Sequence, residues 1–574
     1  MIPFLVLLSI VLLLALLASG RVQAFKLFGG LLFIYYIVGL ISLDSLLANF
    51  VNPALITLVL LILVSFVLEK TNWVTLLSKL LFVKDLESSY LRMGGLIGLS
   101  SAILNNTAVV ATLLSSVKKN PHHPASKLLI PLSYFAVLGG TLTLVGTSTN
   151  LIINGFVVQA GLPPLGLFDF LYVGLPLLII GTIVITLTAR LLLPDIKLDA
   201  ETVAEYFIEA KVEQDSPVVG KSVQEAGLRE LGGVFLVQIY RDGNLISPVG
   251  PYDIIEANDR LQFSGDIKEA HKIINIPGVK LEGSGSHHSE QNFVEVILSH
   301  TSGLIGQTIK EAGFRNKFDA AVVALHRGGH QLNCRLANIE LQVGDSLVLA
   351  TGPDFDKRDN LKQNFYFYSE VKAFNFLSAK KSLWVGLSFL SVLLLSAFEI
   401  VPLLKGLLIL LVGLCVFRLI TFAELKRRFP YELVIIIASA LGIASVMMET
   451  GVSTMIAEWV MSVFSAWGLM GSLIGVFLFT LILTELITNN ASAAIGFPIA
   501  LATSEILGVS PWPFIMVVAY GASASFLTPY SYQTNLMVYA PGGYQFKNYL
   551  QAGLPLSITY SLVVLILVPV FFPF

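Results

Sequence analysis

Charge is what this chain has least of: 13% of its 574 residues are Asp, Glu, Lys or Arg, against about 25% in a soluble globular protein. A single water-soluble body is excluded. Cysteine is rarer still. Cys334 stands in a charged segment and Cys415 in an apolar one, which excludes a disulfide framework and a thiolate metal site. No GxGxxG follows a strand, no phosphate loop opens a helix, and no nucleophile is spaced with a base. Neither NAD nor enzymatic chemistry is implied. The formal net charge of −2 gives no reason to expect a nucleic-acid partner.

Apolar sequence is abundant, at 55% of the chain. Runs near the roughly 17–25 residues that cross a bilayer as helix lie at 2–20, 27–43, 53–68, 127–160, 171–193, 382–398, 403–420, 431–448, 511–540 and 552–573. They predict a polytopic α-helical protein of the cell membrane, with lipid as its solvent. The first run ends in "VQA", as a signal peptide would, yet no basic residue precedes it and Arg21 and Lys26 follow it. It reads as a retained first helix. Basic residues recur at Lys70, Lys79, Lys84, Arg190, Lys357 to Lys381, Arg418 and Lys426 to Arg428. Holding all of them in the cytoplasm puts the N-terminus outside.

Between Arg190 and Lys381 the character changes to dense charge and short alternating strands such as "VFLVQIY" and "DAAVVALHR". The segment repeats: Ser216 answers Ser302 at an offset of 86 residues, and Gly220, Glu225-Ala226-Gly227 and Asp259 answer Gly306, Glu311-Ala312-Gly313 and Asp345 without a gap. The expected division is a first membrane half at 1–193, α/β units at 201–280 and 290–355, and a second membrane half at 382–574. "LEGSGSHHSE" between the units reads as a solvated linker, its His pair as part of it. The pattern "G-(K/Q)-(S/T)-(V/I)-x-E-A-G", then strand, Gly turn and "x-D-x-L", resembles the C-terminal regulatory domain of potassium-transport regulators, the TrkA-C type. The resemblance implies dimerising cytoplasmic domains that bind a small regulator such as a cyclic dinucleotide.

The membrane halves repeat too. "LYVGLPLLI" near the end of the first answers "LQAGLPLSI" near the end of the second, and the amphipathic stretches at Trp73 and Ile456 precede matching asparagine pairs. The positive-inside assignment gives the halves opposite orientations, the signature of a secondary transporter with its site at the repeat interface. Each pair, in "LNNTAVV" and "ITNNASAA", breaks an apolar run at its centre. Such a run reads as a re-entrant hairpin, because non-helical backbone at membrane depth is tolerated only inside protein or a watered cavity. About 44 residues further on, "GGTLTLVGTSTN" and "GASASFLTPYSYQTN" unwind a second helix in each half, with Thr149-Asn150 answering Thr534-Asn535 and Gly146 answering Ser531. Unwinding frees carbonyls for a cation and helix N-termini for an anion. Packing of helices through Ser, Thr and Asn would place the same residue types singly, but not as four clusters paired across two halves.

On these residues the chain resembles the divalent anion:sodium symporters, the citrate and sulfate permeases. The family's Ser-Asn-Thr tips fall on Asn105-Asn106-Thr107 and Asn489-Asn490-Ala491, and its Ser, Phe, Pro and Asn signature falls on Ser523, Phe526, Pro529, Ser531 and Asn535. Tyr530 departs from it. The resemblance implies one Na⁺ site from Ser101, Asn105, Asn106 and Gly146 and another from Thr488, Asn489, Asn490 and Ser531. It implies an anion held by Asn106, Thr107, Thr149, Asn150, Asn490, Ala491, Thr534 and Asn535. It further implies an elevator-type alternating-access mechanism in a homodimer. Ala491, standing for the second tip threonine, lacks a hydroxyl that a carboxylate would use, which counts against a dicarboxylate such as succinate or citrate. The inserted pair of regulatory domains is similar to that of the bacterial and algal sulfate permeases, which favours sulfate. Two other readings stay open. Glu485, one turn before Asn489, could serve a cation/proton antiporter, and the soluble pair could be the output of a membrane sensor.

Overall fold

The computed structural model describes residues 2–19, 22–71, 80–196, 207–228, 231, 234–242, 244–265, 273, 276–282, 293–299, 302–327, 330–332, 336–352, 354–355, 358, 360–367 and 377–574. Arg21, residues 73–79 of the stretch at Trp73, Cys334 and the linker histidines lie outside them. The first half contributes α1 (Ile2–Ser19), α2 (Ala24–Ile37), α3 (Leu43–Phe50), α4 (Pro53–Glu69), α5 (Leu86–Ser101), α6 (Asn106–Lys118), α7 (Ala125–Gly140), α8 (Ser148–Gln159) and α9 (Leu171–Leu192). The central segment holds β1 (Phe207–Val212), β2 (Val234–Arg241), β3 (Asn244–Ile246), β4 (Arg260–Gly265), β5 (Val279–Glu282), β6 (Phe293–Leu298), β7 (Ala320–Arg327), β8 (His330–Gln331), β9 (Ser346–Thr351) and β10 (Phe365–Phe367), with the short helices α10 (Ile309–Ala312), α11 (Phe314–Phe318) and α12 (Leu361–Asn364). The second half supplies α13 (Ala379–Ala397), α14 (Leu403–Val416), α15 (Phe422–Arg428), α16 (Tyr431–Glu449), α17 (Val452–Phe464), α18 (Gly468–Leu486), α19 (Asn489–Leu507), α20 (Trp512–Gly521), α21 (Gln533–Tyr539) and α22 (Phe546–Phe571).

Helix starts are set by local chemistry. Asn52 caps α4 ahead of Pro53, Asp85 caps α5, and Thr421 with Glu424 forms a capping box on α15, each satisfying N–H groups that have no partner within the helix. Among the described residues eight helices are long and apolar enough to cross a membrane. Large apolar side chains such as Leu191, Trp384 and Ile566 stay exposed on them, as a lipid-facing surface requires. The halves pack reciprocally: α2 lies on α16 while α14 lies on α4, and α9 pairs with α22. Pro176 and Pro555 interrupt that last pair at the two "GLP" sequences.

The central segment forms two five-stranded antiparallel sheets, ordered β3-β2-β4-β1-β5 and β8-β7-β9-β6-β10. Their elements match at the sequence offset, including the bulges at Leu236/Gln238 and Val322/Ala324. Arg241 holds buried Asp259 through two nitrogens at 2.8 Å, and Arg327 holds buried Asp345 at 2.7 and 2.8 Å. Paired fork geometry of this kind is what lets a carboxylate be buried. The second sheet closes only with β10, so its unit runs past the expected end at residue 355. Val237 meets Val323, Ala324, Val348 and Ala350 in a small apolar cluster between the sheets.

Candidate ion and anion site

The first hairpin tip is built around one amide. Helix α5 ends at Ser101 and α6 starts at Asn106, with the Asn105 carboxamide capping the new helix by accepting from Thr107 N at 2.9 Å. Asn106 is buried. One end of its amide lies 2.6 Å from Ser101 Oγ and 3.2 Å from both Ala136 O and Gly146 O, and the other lies 3.1 Å from the Tyr532 hydroxyl. Glycine makes the room: a Cβ at Gly140 would stand 2.6 Å from that amide, and one at Gly146 would stand 2.6 Å from Gly140 O. A hydroxyl, two carbonyls and an amide oxygen turned toward them form a neutral, all-oxygen donor set. Such a set suits a hard cation of low charge, and it fits Na⁺.

The unwound link 141–147 is fastened to this tip by Thr143. Its hydroxyl donates to Ala102 O at 2.6 Å and accepts from Gly146 N at 3.0 Å, while its carbonyl accepts from Asn150 Nδ2 at 2.9 Å. Thr528 does the same three things in the second half: it donates to Glu485 O at 3.3 Å, and accepts from Ser531 N and from Asn535 Nδ2 at 3.2 Å each. That equivalence sets the register of the tips. Ala102 stands to Asn106 as Glu485 stands to Asn489, and Asn489 is the first residue of α19 with Thr488 as its N-cap. Asn489 therefore answers Asn106, Asn490 answers Thr107, and Ala491 answers Ala108. The pairing read from the sequence is one residue out. Ala491 lies in the apolar core, so the argument from its missing hydroxyl falls.

Each tip reaches across to the other half. Thr107 Oγ1 donates to Gln533 Oε1 at 3.2 Å, and Ser148 Oγ donates to Asn490 Oδ1 at 3.2 Å. Ser148 and Gln533 are the first residues of α8 and α21. The Tyr532 hydroxyl also bonds the Thr147 side chain. The N-termini of α6, α8, α19 and α21 thus meet in one place, and their free N–H groups and dipoles favour an anion there. The Thr149 hydroxyl is buried with no partner among the described residues, and an orphaned polar group of this kind costs about 1–3 kcal/mol.

Of the first expected sodium set, Ser101, Asn106 and Gly146 come together, and the Asn105 side chain turns away to its cap. The second set is looser. Asn489 accepts from Ser525 Oγ at 2.8 Å, Asn490 crosses to Ser148, Ser531 Oγ donates to Thr528 O at 2.9 Å, and Thr488 is exposed. In the expected anion set, Ser133 Oγ lies 2.7 Å from Thr534 Oγ1 and 2.6 Å from Asn535 Oδ1, which fixes α21 to α7. Glu485 takes Phe526 N and Leu527 N at 2.8 Å and Thr528 N at 3.0 Å. Its carboxylate pins the second unwound link. Sequence reasoning missed Ala136, Ser133, Ser148, Ser525, Tyr532 and Gln533. Ser148 and Gln533 had a signal, since each stands two residues before its matched asparagine, whereas Ala136 acts through its carbonyl and had none.

Comparison with known proteins follows the same line. A family model described as "Citrate transporter" matches residues 4–509. The chain belongs to the citrate transporter family. A Chlamydomonas reinhardtii protein provisionally described as a sulfur deprivation response regulator is 31% identical over 92% of this chain and 94% of its own length. The uncharacterized transporter YfbS of Escherichia coli is 26% identical over 97% of both chains. Sodium/sulfate cotransporter 1 of C. reinhardtii is 28% identical over 62% of this chain and 42% of its own. Citrate transporter family membership makes the chain a multi-pass membrane transporter, not an enzyme.

Proposed function

We propose that this chain is a Na⁺-coupled secondary transporter that imports a small divalent anion, sulfate first among the candidates. The observation that carries the reading is the neutral oxygen cluster around Asn106, joined through Tyr532 and Gln533 to the meeting of four helix N-termini. Sulfate is fully ionised and tetrahedral, so it suits several neutral donors arranged around one point. The Asn490 and Gln533 carboxamides, whose oxygens accept from Ser148 and Thr107, supply such donors through their N–H groups, and the naming of relatives as sodium/sulfate cotransporters supports the same choice. The family name keeps a dicarboxylate or tricarboxylate as the rival substrate. No lysine or arginine serves the proposed site among the residues named. Bound Na⁺ and helix dipoles supply the positive field, so the anion binds after the cation.

The two membrane halves act as inverted repeats in this reading, with the basic loops and the soluble pair in the cytoplasm. Helices α5–α9 and α18–α22 form a carrier that slides in elevator fashion past a frame of α1–α4 and α13–α17, in a homodimer in the cell membrane. The soluble units are TrkA-C-like and regulate transport by binding a small molecule, with a nucleotide as the first candidate. Labelled sulfate uptake into proteoliposomes under an inward Na⁺ gradient tests the function. Competition by unlabelled sulfate but not by succinate or citrate is expected. Inhibition by succinate alone would move the substrate to the carboxylates, and anion binding without flux would make the chain a sensor.

A further inference from the structure

The two matched soluble units differ where one of them touches the membrane part. In the second unit, Ile297 on β6 is fully buried in the apolar cluster of the membrane helices. Lys118, at the end of α6, lies 3.2 Å from Glu295. Gly344, before β9, abuts Leu536 of α21, where a Cβ would stand 2.7 Å from Leu536 Cδ1. At the repeat offset the first unit carries Lys211 in place of Ile297 and Asn258 in place of Gly344. Both turns are left-handed, with φ of 85° at Gly344 and 66° at Asn258. The turn is therefore common to both, and the side chains at these two positions are what differ at the seat.

We propose that the second soluble unit is a docked restraint on the site-bearing helices α6 and α21, whose release speeds transport. The proposal rests on the transport reading above. Helix α6 begins with Asn106 and Thr107, and α21 begins with Gln533, so the seat lies on the elements that hold the site. Beyond β10 the chain reaches the frame, where Leu377 N donates to Lys70 O at 2.9 Å. The same unit is tied to carrier and frame, and a ligand that favours the undocked unit shifts transport by that preference.

The test uses the full chain with Cys334 and Cys415 replaced by Ser, reconstituted in proteoliposomes. Lys118→Cys with Glu295→Cys is bridged by a short bis-methanethiosulfonate, which forms a reducible disulfide with each cysteine as methanesulfinate leaves, and the initial rate of Na⁺-driven sulfate uptake is read before and after reduction. Bridging is expected to cut the rate roughly tenfold or more, with recovery on reduction. Ile297→Lys with Gly344→Asn, which copies the first unit and keeps the turn, is expected to abolish bridging and raise the unbridged rate about fivefold. Uptake by the bridged protein at the unbridged rate overturns the restraint, and bridging undiminished by the double swap overturns the seat. If no form takes up any anion, the transport reading fails, while the bridging comparison still decides the docking.

Discussion

The amide of Asn106 can face Ser101 Oγ, Ala136 O and Gly146 O with either end. Its nitrogen satisfies the three oxygens when they are alone, and its oxygen joins them around a cation. The Tyr532 hydroxyl serves both orientations, because a phenol donates and accepts. Asn106→Ala should weaken Na⁺ activation roughly tenfold or more, a contact to a charged group being worth about 1.5–3 kcal/mol, with the variant still folded by size-exclusion chromatography. Tyr532→Phe removes only the link between this amide and Thr147. It should raise the Na⁺ concentration for half-maximal uptake while leaving the maximal rate near wild type, and an unchanged Na⁺ titration would remove Tyr532 from the coupling. Gly140→Ala pushes a methyl into the amide and should behave as Asn106→Ala does in the same titration.

At the scale of the element, Glu485 decides between two chemistries. Three backbone N–H groups of the second unwound link converge on its carboxylate, which is a structural use of the charge. Glu485→Gln should lower the thermal stability of the detergent-solubilised protein by about 2 kcal/mol. Uptake by the variant should keep its indifference to a proton gradient. Proton-driven cation flux in the wild type, lost in the variant, would restore the antiporter. The asparagine pairs and unwound links were legible because polar residues cannot stand idle at membrane depth. The tip register was not legible. Asn and Thr both cap helices, so "NNT" and "TNN" each allow two helix starts, and only the Thr143 and Thr528 contacts distinguish them. Nor could the sequence pair Thr107 with Gln533 or Ser148 with Asn490, since the chain between them passes through an entire soluble insert.

On the scale of the molecule, the insert stands between two membrane halves that pack reciprocally without it. Excising residues 201–367 with a short linker in their place should leave Na⁺-driven uptake and raise its rate, because the seat on α6 and α21 is vacated. Light scattering of the purified variant checks the alternative: a fall from dimer to monomer would make the insert a dimerisation device. The central claim is that Na⁺ bound around Asn106 draws a divalent oxyanion across the membrane. Its most direct test is the initial rate of labelled sulfate uptake into proteoliposomes as external Na⁺ is raised, wild type beside Asn106→Ala. The account predicts a saturable Na⁺ dependence in the wild type that is displaced to much higher Na⁺ in the variant, and coincident curves would contradict it.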